Sequence, residues 1–314
     1  MDSRNLGIGI IFLIENTVGI LGNVSLLSYY RVIYNKKHKI KPLDLILMHL
    51  IMVNLLIIFS KGMGNTMTIF SLKHFFNDLS YQLFIYVIRV FRSMSIVTIF
   101  LLSVFQSIII SPRNSFWKNL RVKSSKDIGL YISLSWVLSI MVNVLLPLYM
   151  YIKSRRKNIT KEIDFEHYTI VGNDKISVSL YVALTVFPEL LFSVLITCSS
   201  SSMIIILYRH KQRIQPIRST CAFHRNSPES RATQSILVRV FTFLVIYTLS
   251  TVSHGCSAVL LSGQNWWLMK ITVIISLCFP TLSPFVLMSQ SSPLSRLFFL
   301  WIKDTESSNV IVTI

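Results

Sequence analysis

The feature that most constrains this chain is a set of long apolar blocks, almost free of charge, separated by strips rich in Lys and Arg. A helix crosses the hydrocarbon of a bilayer with about 20 mostly apolar residues. Seven blocks reach that length. Block 6–30 has Glu15 as its only charge, and block 43–70 has Asp44 at its start and Lys61 within it. Block 81–110 carries Arg89 and Arg92 in its first half, and block 128–152 carries no charge. Block 176–208 holds only Glu189, block 235–261 is uncharged from Val240 onward, and block 267–288 holds Lys270 near its start. Lipid offers the backbone no hydrogen-bond partner, so such blocks must be helical. A β-barrel is excluded, because barrel strands alternate apolar and polar over about 10 residues and these blocks do not alternate.

The expected fold is therefore an all-α membrane protein. Its seven-transmembrane helix bundle occupies residues 1–290, and residues 291–314 form a cytoplasmic tail. Charged residues make up 14% of the 314, against about 25% in a soluble domain, which excludes two soluble domains of ordinary size. Four cysteines are too few for a disulfide scaffold. The first block is longer than the apolar stretch of about 7–15 residues in a signal peptide, and it reads as a retained span.

Loop charge sets the orientation. The strips after the first, third and fifth blocks hold Lys36, Lys37 and Lys39, then Arg113, Lys118 and Arg121, then Arg209, Lys211, Arg213, Arg218, Arg225 and Arg231, among others. Together with Arg296 and Lys303 of the tail, that side carries 18 basic residues against nine on the other. The N-terminus is expected outside and the tail inside a multi-pass plasma-membrane protein. The loop 153–175 is the exception, with six basic residues, but it also carries the sequon Asn158-Ile159-Thr160, which is meaningful only on the lumenal side. The sequon at Asn23 lies within a span and is expected to be silent. Lys36-Lys37-His38-Lys39 lies between two spans at the membrane, so a nucleic-acid partner is not expected.

No phosphate-binding Gly-rich loop, His-Glu-x-x-His or paired-cysteine metal site occurs. Enzymatic activity, a cofactor and a metal are accordingly not expected. Nor do intramembrane acids and bases alternate as a proton relay requires, or interrupted helices recur in two halves as in many carriers.

Gly19-Ile20-Leu21-Gly22-Asn23, Pro42-Leu43-Asp44-Leu45-Ile46-Leu47, His49-Leu50 and Arg89-Val90-Phe91-Arg92 follow one another in order. So do Leu101 to Gln106, Ile110-Ser111-Pro112-Arg113, His210-Lys211-Gln212-Arg213, Ser227 to Leu237 and Phe279-Pro280-Thr281-Leu282-Ser283-Pro284-Phe285. In these stretches, which run over almost the whole length, the chain resembles the vomeronasal type-1 receptors, a rhodopsin-like family of pheromone receptors. The resemblance implies a G-protein-coupled receptor that binds a small pheromone or odorant among its spans and activates an inhibitory-type heterotrimeric G protein in vomeronasal sensory neurons. It also implies that Gln106, Arg113, His210, Lys211, Arg213 and Arg231 face the G protein. Bitter-taste receptors share the lack of an acid-Arg-aromatic triplet, but the Ser227–Leu237 and Pro280–Phe285 runs favour the vomeronasal family. A transporter or channel is the alternative from another class.

Two departures stand out. Where the family usually has a Cys at the start of the third span this chain has Tyr81, and the place of its loop partner is about Thr169. The four cysteines, Cys198, Cys221, Cys256 and Cys278, lie elsewhere. Loss of such a bridge removes a constraint worth typically about 2–4 kcal/mol.

The charged residues inside the spans are the candidate ligand-binding residues. Arg89 and Arg92, three apart, occupy one helix face, and each costs several kcal/mol in a span unless partnered or wetted. They present a cationic patch to a polar or anionic ligand group, or else pair with Glu189 or Glu15, or snorkel. Glu189 follows Pro188 and either lines the cavity or partners an arginine. His254 is either a satisfied core histidine or a ligand contact. Glu15 and Asn16 read as a packing or network pair, and Trp266 and Trp267 as an interfacial belt. Asp44, Asn23 and Asn54 read as interhelical hydrogen-bonding residues, and Ser199 to Ser202 as small residues for close helix approach. In the tail, Leu294, Leu297, Phe298 and Trp301 make the apolar face of an amphipathic helix expected to lie on the inner leaflet.

Overall fold

The computed structural model describes residues 3–37, 42–69, 78–110, 125–157, 179, 182–218, 241–253, 256 and 266–290. They form a helical bundle: α1 (Ser3–Lys37), α2 (Pro42–Ile69), α3 (Asp78–Ile110), α4 (Ser125–Lys157), α5 (Phe187–Arg218), α6 (Phe241–Ser253) and α7 (Trp266–Gln290). Six of these are long and apolar enough to cross a membrane, and α6 is a shorter apolar helix. At the first, second, third, fourth and seventh blocks the observed helices start within three residues of the expected position, but α1 runs seven residues past its block, to Lys37, and α4 five past, to Lys157. At the fifth, a π-helical turn at Val182–Val186 runs directly into α5 at Phe187, and residues 176–178, 180 and 181 lie outside the described residues. The amphipathic tail helix and, apart from Cys256, the parts of block 235–261 outside α6 lie beyond the described residues.

Helix α3 is the axis of the bundle and packs against α2, α4 and α5, while α1 packs on α2 and α7. Apolar residues from these elements fill the centre. Leu26, Leu50, Ile51, Ile96, Phe243 and Phe279 belong to one buried cluster, and Phe12, Val53, Ile58, Met94 and Leu277 to another. The outside is equally apolar. On α4, Leu130, Leu134, Val137, Leu138, Met141 and Leu145 are all exposed. That distribution is expected where the solvent is lipid, because burying leucine among leucines then gains nothing over leaving it outside. Side-chain polarity and close packing must hold the helices together instead.

Close packing is visible at Gly19, where an added Cβ would lie 2.8 Å from Ile58 Cδ1 and 2.9 Å from Thr281 Oγ1. Polar ties are visible at α7. Pro284 has no N–H, so the Pro280 carbonyl four residues earlier loses its helical donor. Asn23 of α1 supplies one, with Nδ2 donating to Pro280 O at 2.9 Å, and Asn54 of α2 donates to Ser283 Oγ at 2.7 Å. Both asparagines thus bridge helices, and neighbouring helices make the proline-bearing span tolerable. Ser107 of α3 donates to the Ser199 carbonyl of α5 at 2.9 Å, in the small-residue stretch. Cys198, Cys256 and Cys278 are free thiols.

A three-helix relay joins α4, α2 and α3. Trp136 Nε1 donates to His49 Nε2 at 2.9 Å, and an indole can only donate. The His49 acceptor nitrogen is therefore unprotonated and its proton sits on Nδ1, which faces Thr98 Oγ1 at 3.1 Å. Thr98 in turn donates to the Met94 carbonyl at 2.6 Å. Every proton in the relay has one direction.

Candidate functional site

Charge in the middle of an apolar bundle has to be matched, and the matching defines the site. Arg92 of α3 and Glu189 of α5 are buried, at 9% and 4% exposure. They meet in a two-pronged ion pair, Nε on Oε1 at 2.5 Å and Nη2 on Oε2 at 2.8 Å. Planar guanidinium and planar carboxylate suit this fork geometry.

The π turn explains how Glu189 comes to be there. A proline ring at 188 clashes with the carbonyl four residues back in regular α geometry. The wider π turn, Val182–Val186, occupies that place. Helix α5 then starts afresh with Glu189 in its first turn, on the face toward α3.

Helix α6 closes the cluster through one turn. Tyr247 donates to the Arg92 carbonyl at 3.0 Å, Ser250 Oγ accepts from Arg92 Nη1 at 2.9 Å, and Thr251 donates to Glu189 Oε2 at 2.8 Å. The Arg92 guanidinium carbon also lies 5.7 Å from the Tyr247 ring centroid, within cation–π reach. Both carboxylate oxygens and three guanidinium nitrogens are engaged by three helices.

Beside the pair lies a small cavity between α2, α3, α6 and α7, lined by Lys61, Arg92, Ser95, Tyr247, Ser250 and Ser276 among others. Lys61 is 9% exposed, and its Nζ donates to Ser276 Oγ of α7 at 2.5 Å.

Of the residues singled out from sequence, the structure brings together Arg92 and Glu189, and it pairs Arg92 with Glu189 rather than with Glu15. Arg89 is buried one turn away on α3. Glu15 is part-buried on α1, where Thr281 donates to its carbonyl at 3.4 Å. Gln106 is buried on α3, at 6% exposure, far along the helix from Arg92. His210, Lys211 and Arg213 belong to the last turns of α5. His254, Arg113, Arg231 and Asn158 lie outside the described residues.

Lys61, Tyr247, Ser250, Thr251 and Ser276 were not singled out as site residues. A signal was present: Tyr247, Ser250 and Thr251 stand at i, i+3 and i+4, a polar stripe on one face of an otherwise apolar span.

Comparison with known proteins points one way. A sequence model described as the vomeronasal organ pheromone receptor family matches residues 6–300. The chain is similar to vomeronasal type-1 receptor 4 of Homo sapiens, 42% identical over 301 residues, covering 96% of this chain and 99% of that one. Vomeronasal type-1 receptor 2 of Homo sapiens is 42% identical over 285 residues, covering 91% of this chain and 72% of its own. Vomeronasal type-1 receptor 1 of the same species is 34% identical over 292 residues, covering 93% and 82%.

Proposed function

This chain belongs to the vomeronasal organ pheromone receptor family, and from that premise we propose that it detects a small extracellular pheromone or odorant and activates an inhibitory-type heterotrimeric G protein. The chain sits in the plasma membrane of vomeronasal sensory neurons, N-terminus outside and tail in the cytoplasm, with Asn158 glycosylated. The observation that carries the reading is the Arg92–Glu189 pair tied to α6.

A ligand entering from outside among α3, α5, α6 and α7 reaches a cluster whose parts belong to three different helices. Contacts made with Arg92, Arg89, Glu189 or His254 compete with contacts that hold the helices together. A ligand that binds the loosened arrangement better than the closed one shifts the population toward it. The cytoplasmic ends of α5 and α6 then part, and Gln106, Arg113, His210, Lys211, Arg213 and Arg231 meet the G protein.

The test is a ligand screen in cells reporting G-protein activation, followed by Arg92→Glu in the full chain. The variant leaves Glu189 uncompensated, so it should reach the surface in reduced amount and lose most of its response per surface receptor. A normal dose–response from a well-expressed Arg92→Glu variant refutes the role of the pair. An antibody reaching an epitope fused after Ile314 on intact cells would refute the orientation.

A further inference from the structure

Lys61 of α2 is buried, and one of its three ammonium protons goes to Ser276 Oγ of α7 at 2.5 Å. Three other charges act on it through the low-dielectric interior: Arg92 repels it, and Glu189 and Glu15 attract it. The two acids are not equally available. Both carboxylate oxygens of Glu189 are engaged by Arg92, and Oε2 accepts a further bond from Thr251. The Glu15 carboxylate is bonded to the Cys278 thiol of α7, and its Oε2 is buried with no hydrogen-bond partner among the described residues.

The helices bring Glu15 and Lys61 to one level. The side chain of Asn16, next to Glu15, lies 3.3 Å from the point where a Cβ on Gly62, next to Lys61, would stand. The α1 turn that carries the acid therefore packs on the α2 turn that carries the base. Helix α7 holds both from positions two apart, Lys61 at Ser276 and Glu15 at Cys278. Lys61 also lines the small cavity that it shares with Arg92. An ammonium drawn across that gap competes with Arg92 for Glu189.

We infer that Glu15 is the counter-charge of Lys61, a positioning residue that keeps the ammonium beside α1 and α7 and away from the Arg92–Glu189 pair. A buried ammonium needs such a partner, and Glu15 is the acid with an oxygen to spare. Without it, Lys61 is drawn to the remaining carboxylate, Glu189, and loosens the hold of α5 and α6 on Arg92. That consequence for signalling rests on the role of the pair proposed above; the attraction between Glu15 and Lys61 does not.

The experiment is a double-mutant cycle on the purified full-length receptor, read by thermal unfolding. Glu15→Gln keeps an acceptor for Cys278 and removes the charge. It should lower the unfolding temperature by at least about 2 °C in the parent chain, and by less than half of that in a Lys61→Met background. Penalties that add strictly overturn the inference. If Lys61→Met alone does not fold, the double variant decides: recovery supports the pairing, since the uncompensated acid is then gone, and failure overturns it. In cells, Glu15→Gln should raise ligand-independent G-protein activation per surface receptor severalfold, and adding Lys61→Met should remove the rise. No rise for Glu15→Gln where Glu189→Gln gives one overturns the positioning role. No rise for either refutes the signalling role of the Arg92–Glu189 pair, and the unfolding cycle then judges Glu15 alone.

Discussion

Asn23 donates its side-chain amide to the Pro280 carbonyl at 2.9 Å, across 257 residues of sequence. That carbonyl is the one Pro284 leaves without a donor, so the asparagine repairs a defect made by a proline on another helix. Asn23→Ala should cost about 1–3 kcal/mol by orphaning a buried acceptor. Pro284→Ala restores a main-chain donor at the same carbonyl. The penalty of Asn23→Ala, followed by thermal unfolding, should shrink in the Pro284→Ala background. Strictly additive penalties would remove this explanation.

Removing one partner of a buried ion pair leaves the other charge uncompensated. Glu189→Ala should destabilise the receptor by about 3–5 kcal/mol and reduce surface expression. Ser250→Ala, which takes only one acceptor from Arg92, should cost less than half of that. Comparable losses in the two variants would show that the carboxylate is not the principal partner.

The relay from Trp136 through His49 to Thr98 assigns a neutral imidazole protonated on Nδ1. Nitrogen NMR of selectively labelled receptor should report that tautomer. Trp136→Phe keeps the aromatic edge packing on Phe91 but withdraws the donor, and it should cost about 1–3 kcal/mol. An Nε2-protonated His49 in the unsubstituted receptor contradicts the relay.

Two glycines should respond in opposite ways to the same change. Gly19→Ala forces a methyl group to within 3 Å of Ile58 and Thr281, an overpacking cost of about 1–3 kcal/mol. Gly129→Ala in α4 meets nothing within 4 Å and should be neutral or gain up to about 1 kcal/mol in helix propensity. Melting curves of the two variants side by side check both signs.

The two sequons should also differ. Asn23 is fully buried, with its amide nitrogen bonded to Gly19 and Pro280 carbonyls, so it is closed to modification. Asn158→Gln alone should abolish the gel-mobility shift produced by glycosidase. A shift that survives it would place the glycan elsewhere.

The spans were legible because lipid demands one simple thing of a sequence, a run of apolar residues about 20 long. Asn23 and Asn54 were legible as bridges for the related reason that amides are rare in such runs. The partner of Arg92 was not. Glu189 and Glu15 are equally acidic, and which one the guanidinium meets depends on how α5 is turned by the π turn before Pro188. Spacing within one helix says nothing about that. The serines and threonines escaped for another reason. Within a helix a hydroxyl commonly bonds its own backbone four residues back, as Thr197 and Thr248 do. Taken singly, such hydroxyls look no different from Ser250 and Thr251, which reach across to Arg92 and Glu189; only the alignment of those two with Tyr247 on one face sets them apart.

All three of the bonds that α6 makes to the ion pair arise between Tyr247 and Thr251, within a little over one helical turn. They share a single level in the bundle, so a tilt of α6 away from α3 strains them simultaneously, not in sequence. Such a clasp opens in one step: half-released forms gain nothing over closed or fully open ones. The unliganded protein should therefore be quiet.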